Sequence, residues 1–397
     1  MNVIKGLVLL GMVLALSACG SGDYGSSSST VVSGVASAGI ISGGTVKAFV
    51  AYSSANEVKK QLGSTGTTDA NGVYKIDIGS YAGPVIVEVT GGSYTDEATG
   101  NTGQSIPTAA PLRAAVNASS GALSVAVTPL TELALRLAKT AGNKLTKTNI
   151  DAANSMISQL FKMDIIATLP VAPTATAFSA ATQAQKDYAL ALAAISQFMK
   201  TNSSTDLSAQ LEVLIGGISL TSGMSTGTTS NLTTALSAFL AADTTLNQTG
   251  VTSLYDTGLQ NMGTTTMTLT LALSGTNVAS VKAIQATINL PTGIKVRAHA
   301  ITSGEPLDGV LTPLAGGTSP LLNGSYTSST TPATLKLNFA TTANLVAGNI
   351  ISVTFDVTPG TATPSASDFS LTGIVLIDAT AADVSGATLS VSKLAAP

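Results

Sequence analysis

The apolar residues of this chain change their spacing twice, and that change constrains the fold more than any single motif. From residue 31 to about residue 100 the spacing is two. Val46, Ala48, Val50 and Tyr52 share one face. Tyr74, Ile76 and Ile78 alternate with Lys75 and Asp77, and Val85, Val87 and Val89 alternate with Ile86, Glu88 and Thr90. Such alternation predicts half-buried strands. Asn71-Gly72 between two of these runs predicts a hairpin turn, because both positions accept positive φ. From about Gly121 the spacing becomes helical. Thr128-Pro129 reads as an N-cap with proline at the first helical position, before Leu130, Leu133, Ala134 and Leu137. Thr148-x-x-Asp151 predicts the start of a second helix carrying Ile150, Ala153, Ile157, Leu160 and Phe161. Residues 179–200 predict a third, with Tyr188, Leu192, Ile195 and Met199 on one stripe. Leu207 to Ile215 predicts a fourth, ended by Gly216-Gly217, and Leu232, Leu236, Phe239 and Leu240 a fifth.

Beyond a Gly/Asn/Thr passage near residues 258–265 the spacing returns to two. Met267, Leu269, Leu271 and Leu273 alternate with polar residues. So do Ile284, Ala286, Ile288 and Leu290, then Leu335, Leu337 and Phe339, then Ile351, Val353, Phe355 and Val357. Leu371, Val375, Ile377, Leu389 and Val391 complete the set. One apolar and one wet face per strand is the pattern of an antiparallel sandwich. The expected fold is therefore multidomain α+β. A small β-sandwich occupies residues 31–104, a central all-α helical bundle residues 105–260, and an antiparallel β-sandwich residues 261–397.

Composition narrows the function classes. At 397 residues the chain exceeds a single typical domain. Charged residues are 10%, against about 25% in average soluble domains, while hydrophobic residues are 44%. This argues for packed cores over disorder. The net charge of −3 comes with no basic block, so no nucleic-acid partner is expected.

The N-terminus carries Lys5, an apolar run over residues 6–16 and then Leu16-Ser17-Ala18-Cys19. A run this short does not span a bilayer, which takes about 20 apolar residues, and the layout is that of a signal peptide covering residues 1–19. Leu16-Ser17-Ala18-Cys19 resembles the lipobox of bacterial lipoproteins. The resemblance implies cleavage before Cys19, acylation of its thiol and of the new amino terminus, palmitate among the acyl chains, and a membrane partner reached through that anchor. Gly20, rather than an aspartate, implies the outer membrane or cell surface by the same analogy. Cys19 is the only cysteine, so lipidation leaves no thiol for catalysis, disulfides or zinc. Residues 20–30, GSGDYGSSSST, read as a flexible tether. They match GxGxxG, but with no strand before and no helix after, the match is not a phosphate loop.

The segments SGVASAGIISGGTVKAF, TTDANGVYKIDIG and PVIVEVTGG resemble the carboxypeptidase-regulatory-like (prealbumin-like) domain, which implies a small sandwich without catalytic residues of its own. The segments AIQATINLPTGIKVRA, LVAGNIISVTFDV and FSLTGIVLIDATAADVSG resemble a cohesin-type domain. That resemblance implies a jelly-roll sandwich related to some carbohydrate-binding modules, with dockerin modules or glycan-associated scaffolds as typical partners. No residue of a binding face is carried over.

Chemistry-bearing residues are few. The single histidine, His299, falls with Lys295 and Arg297 on the face opposite Ile294, Val296 and Ala298, which predicts exposure. No GxSxG elbow or acidic partner points at it. Asp69, Asn71 and Asp77 read as a turn, since a calcium loop needs more acidic ligands. Asp378 and Asp383 lie in a turn-like stretch. No catalytic residue, metal ligand set or cofactor is expected. With no Trp in the chain, Tyr94 and Tyr326, both in Gly/Ser/Thr-rich stretches, are the candidate glycan contacts. The expected function is that of a non-enzymatic cell-envelope lipoprotein displaying binding or assembly modules for a protein partner. The alternatives are polysaccharide binding by the C-terminal sandwich and an exported hydrolase using paired carboxylates.

Overall fold

The computed structural model describes residues 29–54, 56–140, 144–299 and 303–395. Cys19, the preceding signal segment and most of the tether lie outside these residues. The chain is mostly β-sheet, with 36% strand and 24% helix, arranged among the described residues as five separate sheets and six short helices.

The first eight strands are β1 (Val31–Val35), β2 (Ser42–Val50), β3 (Gln61–Thr67), β4 (Val73–Asp77), β5 (Gly83–Tyr94), β6 (Gln104–Ile106), β7 (Leu112–Ala118) and β8 (Ala122–Ser124). They form a sheet in the order β4-β1-β8, and a second in the order β3-β2-β5-β6 with β7 also paired to β5. Register places Val46, Val89 and Leu112 in one row and Ala48, Val87 and Ala114 in the next. This face of the second sheet packs toward the first sheet. The other face carries Phe49, Ile86 and Ala115, then Lys47, Glu88 and Arg113.

That second face is where the sequence expectation fails. Ile86 and Glu88 are buried along with the valines between which they alternate. The reason is a cover of helices: α1 (Pro129–Thr140), α2 (Lys147–Phe161), α3 (Ala175–Ala180), α4 (Gln183–Thr201), α5 (Leu207–Ile215) and α6 (Thr226–Leu240). Helix α1 packs on β7, and α2 crosses β7 and β5, where Asn154 Nδ2 donates to Ala115 O at 2.9 Å. A central all-α bundle is therefore wrong. The helices do pack on one another, α4 against α6 and α1 against α2, but one continuous core runs from Val32 to Met262 through both sheets and helices. Two helix starts also move. The α2 cap is Thr146, whose Oγ1 accepts from Asn149 N–H at 3.2 Å, not Thr148. The single helix expected over residues 179–200 is α3 followed by α4, separated at Thr182, which closes a capping box with Gln185.

A two-residue hairpin, β9 (Ile218–Ser219) with β10 (Gly223–Met224), joins α5 to α6. Ten further strands follow: β11 (Thr265–Gly275), β12 (Ala283–Leu290), β13 (Ile294–Lys295), β14 (Ser303–Gly304), β15 (Leu311–Pro313), β16 (Leu321–Thr327), β17 (Ala333–Ala340), β18 (Gly348–Val357), β19 (Ser370–Ile377) and β20 (Ala387–Ala395). They make two antiparallel five-stranded sheets, β13-β18-β11-β20 with β15 on β18, and β14-β16-β17-β12-β19. Their inner faces enclose a second core around Leu271, Ile288, Leu337 and Phe355. Alternation corresponds to one buried face in β12 and β17, where Lys336 and Asn338 are exposed between Leu335, Leu337 and Phe339, but not in β19, where the expected inward residue Val375 is exposed and Leu376 is buried instead.

The two cores are joined by a buried ion pair. Lys162 ends α2 in the left-handed region, at φ 63°. Its Nζ donates to Asp356 Oδ1 at 2.6 Å, Thr264 O at 2.8 Å and Thr264 Oγ1 at 2.7 Å. Asn261 Nδ2 donates to Asp356 Oδ2 at 2.8 Å, with Arg297 Nε at 3.5 Å. Both paired side chains are 1% exposed. A pair so far from water holds its geometry only because each remaining lone pair and proton has a partner.

Candidate functional site

The helix cover leaves a cleft of about 460 Å³ at its edge, between the end of β5, the residues 104–112 segment, α1 and the start of α5. Ile106, Pro107, Pro111, Leu207 and Leu211 give it apolar wall, Gln104, Thr205, Asp206 and Ser208 give it polar wall, and Tyr94 stands at its side. Apolar wall combined with fixed polar groups describes a small-ligand or side-chain pocket.

The charged floor is Glu132 and Arg136 of α1, with Arg113 of β7 behind Glu132 and outside the lining. Strand alternation turns Arg113 toward the helices, and Glu132 sits in the first turn of α1, beneath it. Arg113 Nε donates to Glu132 Oε2 at 2.9 Å and its Nη2 to Oε1 at 2.5 Å. One helical turn on, Arg136 Nε donates to Glu132 Oε1 at 2.9 Å. Arg136 also reaches α5, donating to Ser208 O at 2.8 Å, Ser208 Oγ at 2.8 Å and Glu212 Oε2 at 3.0 Å. Glu132 itself is fully buried, and an unpaired carboxylate there would be prohibitive, which is why two guanidinium groups meet it.

The charge row continues across the sheet. Glu88 accepts from Lys59 Nζ at 2.8 Å, and burial raises its carboxyl to about 7 despite the Arg113 charge. Burial, aided by Arg113, lowers the Lys139 ammonium to about 8. The Lys59 and Lys139 ammonium groups lie 4.6 and 5.6 Å from the centre of the Tyr52 ring. Burial, with Glu97 and Asp96 nearby, raises the Tyr94 phenol to about 12, so it stays a neutral donor at the cleft.

The sequence-predicted residues fall in different places. Tyr94 is half-buried and lines the cleft. Tyr326 is 5% exposed within the second core, so it offers no ring face to a glycan and is corrected as a contact. Its apolar neighbours in β17, Leu335 and Leu337, explain the burial: Tyr326 lies on the inward face of β16. His299 is exposed while Val296 and Ala298 are buried. Asp378 Oδ1 accepts from Thr380 N–H at 2.8 Å, Thr380 Oγ1 at 2.8 Å and Ala382 N–H at 3.0 Å, closing a turn before the exposed Asp383. Asp69 closes the expected hairpin by accepting from Asn71 and Val73 N–H at 2.8 and 2.9 Å. Asp77 accepts from Ser29 Oγ and from Gly79 N–H. Cys19 and the GxGxxG segment over residues 20–25 lie outside the described residues. Among the described residues no group of three or more His, Cys, Asp or Glu is placed to hold a metal ion, and no helix is long and apolar enough to cross a membrane.

Sequence reasoning missed Glu132, Arg113 and Arg136. The usable signal was the spacing of Glu132 and Arg136, four residues apart on a helix, in a chain where charges are scarce. No family model, curated protein or solved structure matches the chain.

Proposed function

We propose that this chain is a non-enzymatic lipoprotein of the cell envelope that presents a binding cleft to a protein partner. Acyl chains on Cys19 hold it at the outer membrane or cell surface, each buried CH₂ contributing about 0.8 kcal/mol. The carboxypeptidase-regulatory-like and cohesin-type likenesses fit such display modules. The observation that carries the reading is the floor of the cleft. Glu132 is engaged by Arg113 and Arg136, and Arg136 also by Ser208 and Glu212. Groups bound in this way shape and orient a bound surface; a proton-transfer group needs a free partner in reach of substrate. The residues 20–30 tether reaches at most about 40 Å when extended, which keeps the first sandwich close to the membrane. The test has two arms. Cys19→Ala should move the protein from the membrane to the soluble fraction. A photo-crosslinker placed at Tyr94 should capture a discrete envelope protein, whereas one at Thr380 should not. Unchanged membrane partition removes the anchor, and identical labelling from both positions removes the cleft.

One observation favours neutral polysaccharide as a second reading. On the outer face of β16, β17 and β12, register aligns Asn323, Asn338 and Gln285 in one row, with Asn338 Nδ2 donating to Asn323 Oδ1 at 3.1 Å. Planar amides of this kind match sugar hydroxyls without a ring platform. Affinity electrophoresis in neutral polysaccharides tests it: retardation lost in Asn338→Ala supports it, and unaltered migration in every gel excludes it.

A further inference from the structure

A second cavity, of about 320 Å³, lies between the loop over residues 95–100, the β1–β2 turn, the segment before α3 and the turn after α6. Thr95, Asp96 and Glu97 line it from the loop, with Thr174, Thr245 and Gln248 opposite, and Ile40, Pro173 and Leu246 give it an apolar wall. Among the described residues no Lys, Arg or His lines it. Glu97 is the unusual member. It is 8% exposed, and its carboxyl is met only by its own backbone N–H among the described residues. Every other buried carboxylate among the described residues has a cation, a side-chain amide or a second residue's N–H on it, as Glu132, Glu88, Asp356 and Asp187 do. Its neighbour Asp96 is committed differently, Oδ1 accepting from Thr99 N–H at 2.8 Å and Thr99 Oγ1 at 2.7 Å.

We infer that this cavity binds a small organic ammonium ion, its charged head on the Glu97 carboxylate and its alkyl part against Ile40, Pro173 and Leu246. A buried carboxylate without a cation is costly, and an ammonium ion in the cavity supplies the missing charge and up to three donors. The threonine hydroxyls and Gln248 accept the remaining protons. A divalent metal fits less well: it needs several carboxylate oxygens around one point and gains nothing from an apolar wall.

The groups around Glu97 set the pH behaviour. Asp96 lies beside it on the loop, and the Tyr94 phenol ends β5. Lys200, at the end of α4, donates its Nζ to Ala98 O at 2.8 Å. Asp243, after α6, accepts from Thr245 N–H at 2.9 Å. Burial pushes the Glu97 carboxyl up to about 8, its own N–H opposing and Asp96 adding to the shift. Near neutral pH it is therefore protonated, and binding a cation releases that proton.

Calorimetry of the purified protein with n-butylammonium chloride tests this. The expected result is saturable one-to-one binding that strengthens as pH rises toward 8, with a heat that varies with the ionisation enthalpy of the buffer. Glu97→Gln should weaken binding about tenfold or more, the size expected for losing a charge-assisted pair. Asp96→Asn keeps the acceptor for Thr99 and should weaken it less. A urea midpoint for Glu97→Gln no lower than wild type shows that the fold is intact; if it falls, Asp96→Asn and the proton release decide. Absence of saturable heat, affinity unchanged in Glu97→Gln, or calcium chloride binding where n-butylammonium does not would each overturn the inference.

Discussion

The two cores of this molecule treat charge in opposite ways. The N-terminal core, which joins the first two sheets to all six helices, buries Glu88, Glu97, Glu132 and Asp187. Among the described residues the C-terminal sandwich buries one carboxylate, Asp356, and that one faces the seam. Its other shifted carboxylates, Asp368 and Asp378, are surface turn caps held below their ordinary range by hydroxyl and backbone N–H donors. The difference follows from cover. A sheet packed on both faces must bury whatever its second face carries, and in β5 and β7 that includes Glu88 and Arg113. A sheet wet on one face sends its charges outward.

Breaking the seam should have the largest effect. Asp356→Ala strands the Lys162 ammonium, which cannot reach water, and should cost about 3–5 kcal/mol. Urea unfolding, followed by pulse hydrogen exchange, should show the two cores separating into distinct transitions. Lys162→Met with Asp356→Ala should recover most of the loss. A double variant as unstable as Asp356→Ala would mean that the damage is not a stranded charge. Within the N-terminal core, Glu132→Ala should cost less, about 3 kcal/mol, because the Arg113 and Arg136 side chains are 16% and 15% exposed and can rehydrate. That loss should fall on the N-terminal transition alone.

The pH dependence sharpens the contrast further. Glu88, Glu97 and Asp187 are raised in the folded state to about 7, 8 and 6, burial being the main cause of each. The folded protein thus binds more protons than the unfolded chain between about pH 4 and 8. The stability these groups contribute is fully present below their ordinary values and is lost as pH rises through the folded ones. Asp368 and Asp378 have the reverse sign: their contribution is present above the ordinary aspartate value and is lost as pH falls below it. Taking the protein from about pH 8 to pH 5 should therefore raise the urea midpoint of the N-terminal core and leave that of the sandwich nearly still. Equilibration in urea at each pH, then pulse labelling at one fixed pH, separates the two. A sandwich that gains as much as the N-terminal core would refute the contrast.

The same cover explains which parts of the fold were legible in the sequence. Alternation along β12 and β17 reports a face directly, whereas Thr270 of β11 and Asp356 of β18 are buried on the opposite face, and a register shift between β12 and β19 leaves Val375 exposed and Leu376 buried. In β5 the alternation of Val85, Val87 and Val89 with Ile86 and Glu88 is just as regular, yet both sets are buried. Periodicity records which residues share a face; it does not record what lies across from that face. Tyr326 shows the same limit from the other side. Its Gly/Ser/Thr neighbours suggested exposure, but residue parity along β16 turns it inward. Tyr94 kept a place at a cleft because β5 runs past the edge of its helical cover. Glu97 was invisible: nothing in the sequence distinguishes a buried glutamate from a solvated one.

The smallest expected effect lies at a helix start, where sequence rules were nearly right. Thr182 and Gln185 cap α4 reciprocally, with Gln185 N–H to Thr182 Oγ1 at 3.3 Å and Thr182 N–H to Gln185 Oε1 at 3.1 Å. Thr182→Ala should cost about 1 kcal/mol. Helix α4 packs on α6 in the N-terminal core, so the loss should appear in that transition and spare the sandwich. Gln185 Nε2 also donates to Leu169 O at 3.2 Å, which ties the start of α4 to the chain before α3. Gln185→Ala removes both contacts and should therefore cost more than Thr182→Ala. Equal losses would mean that the cap alone sets the start of α4, and that the bond to Leu169 adds nothing.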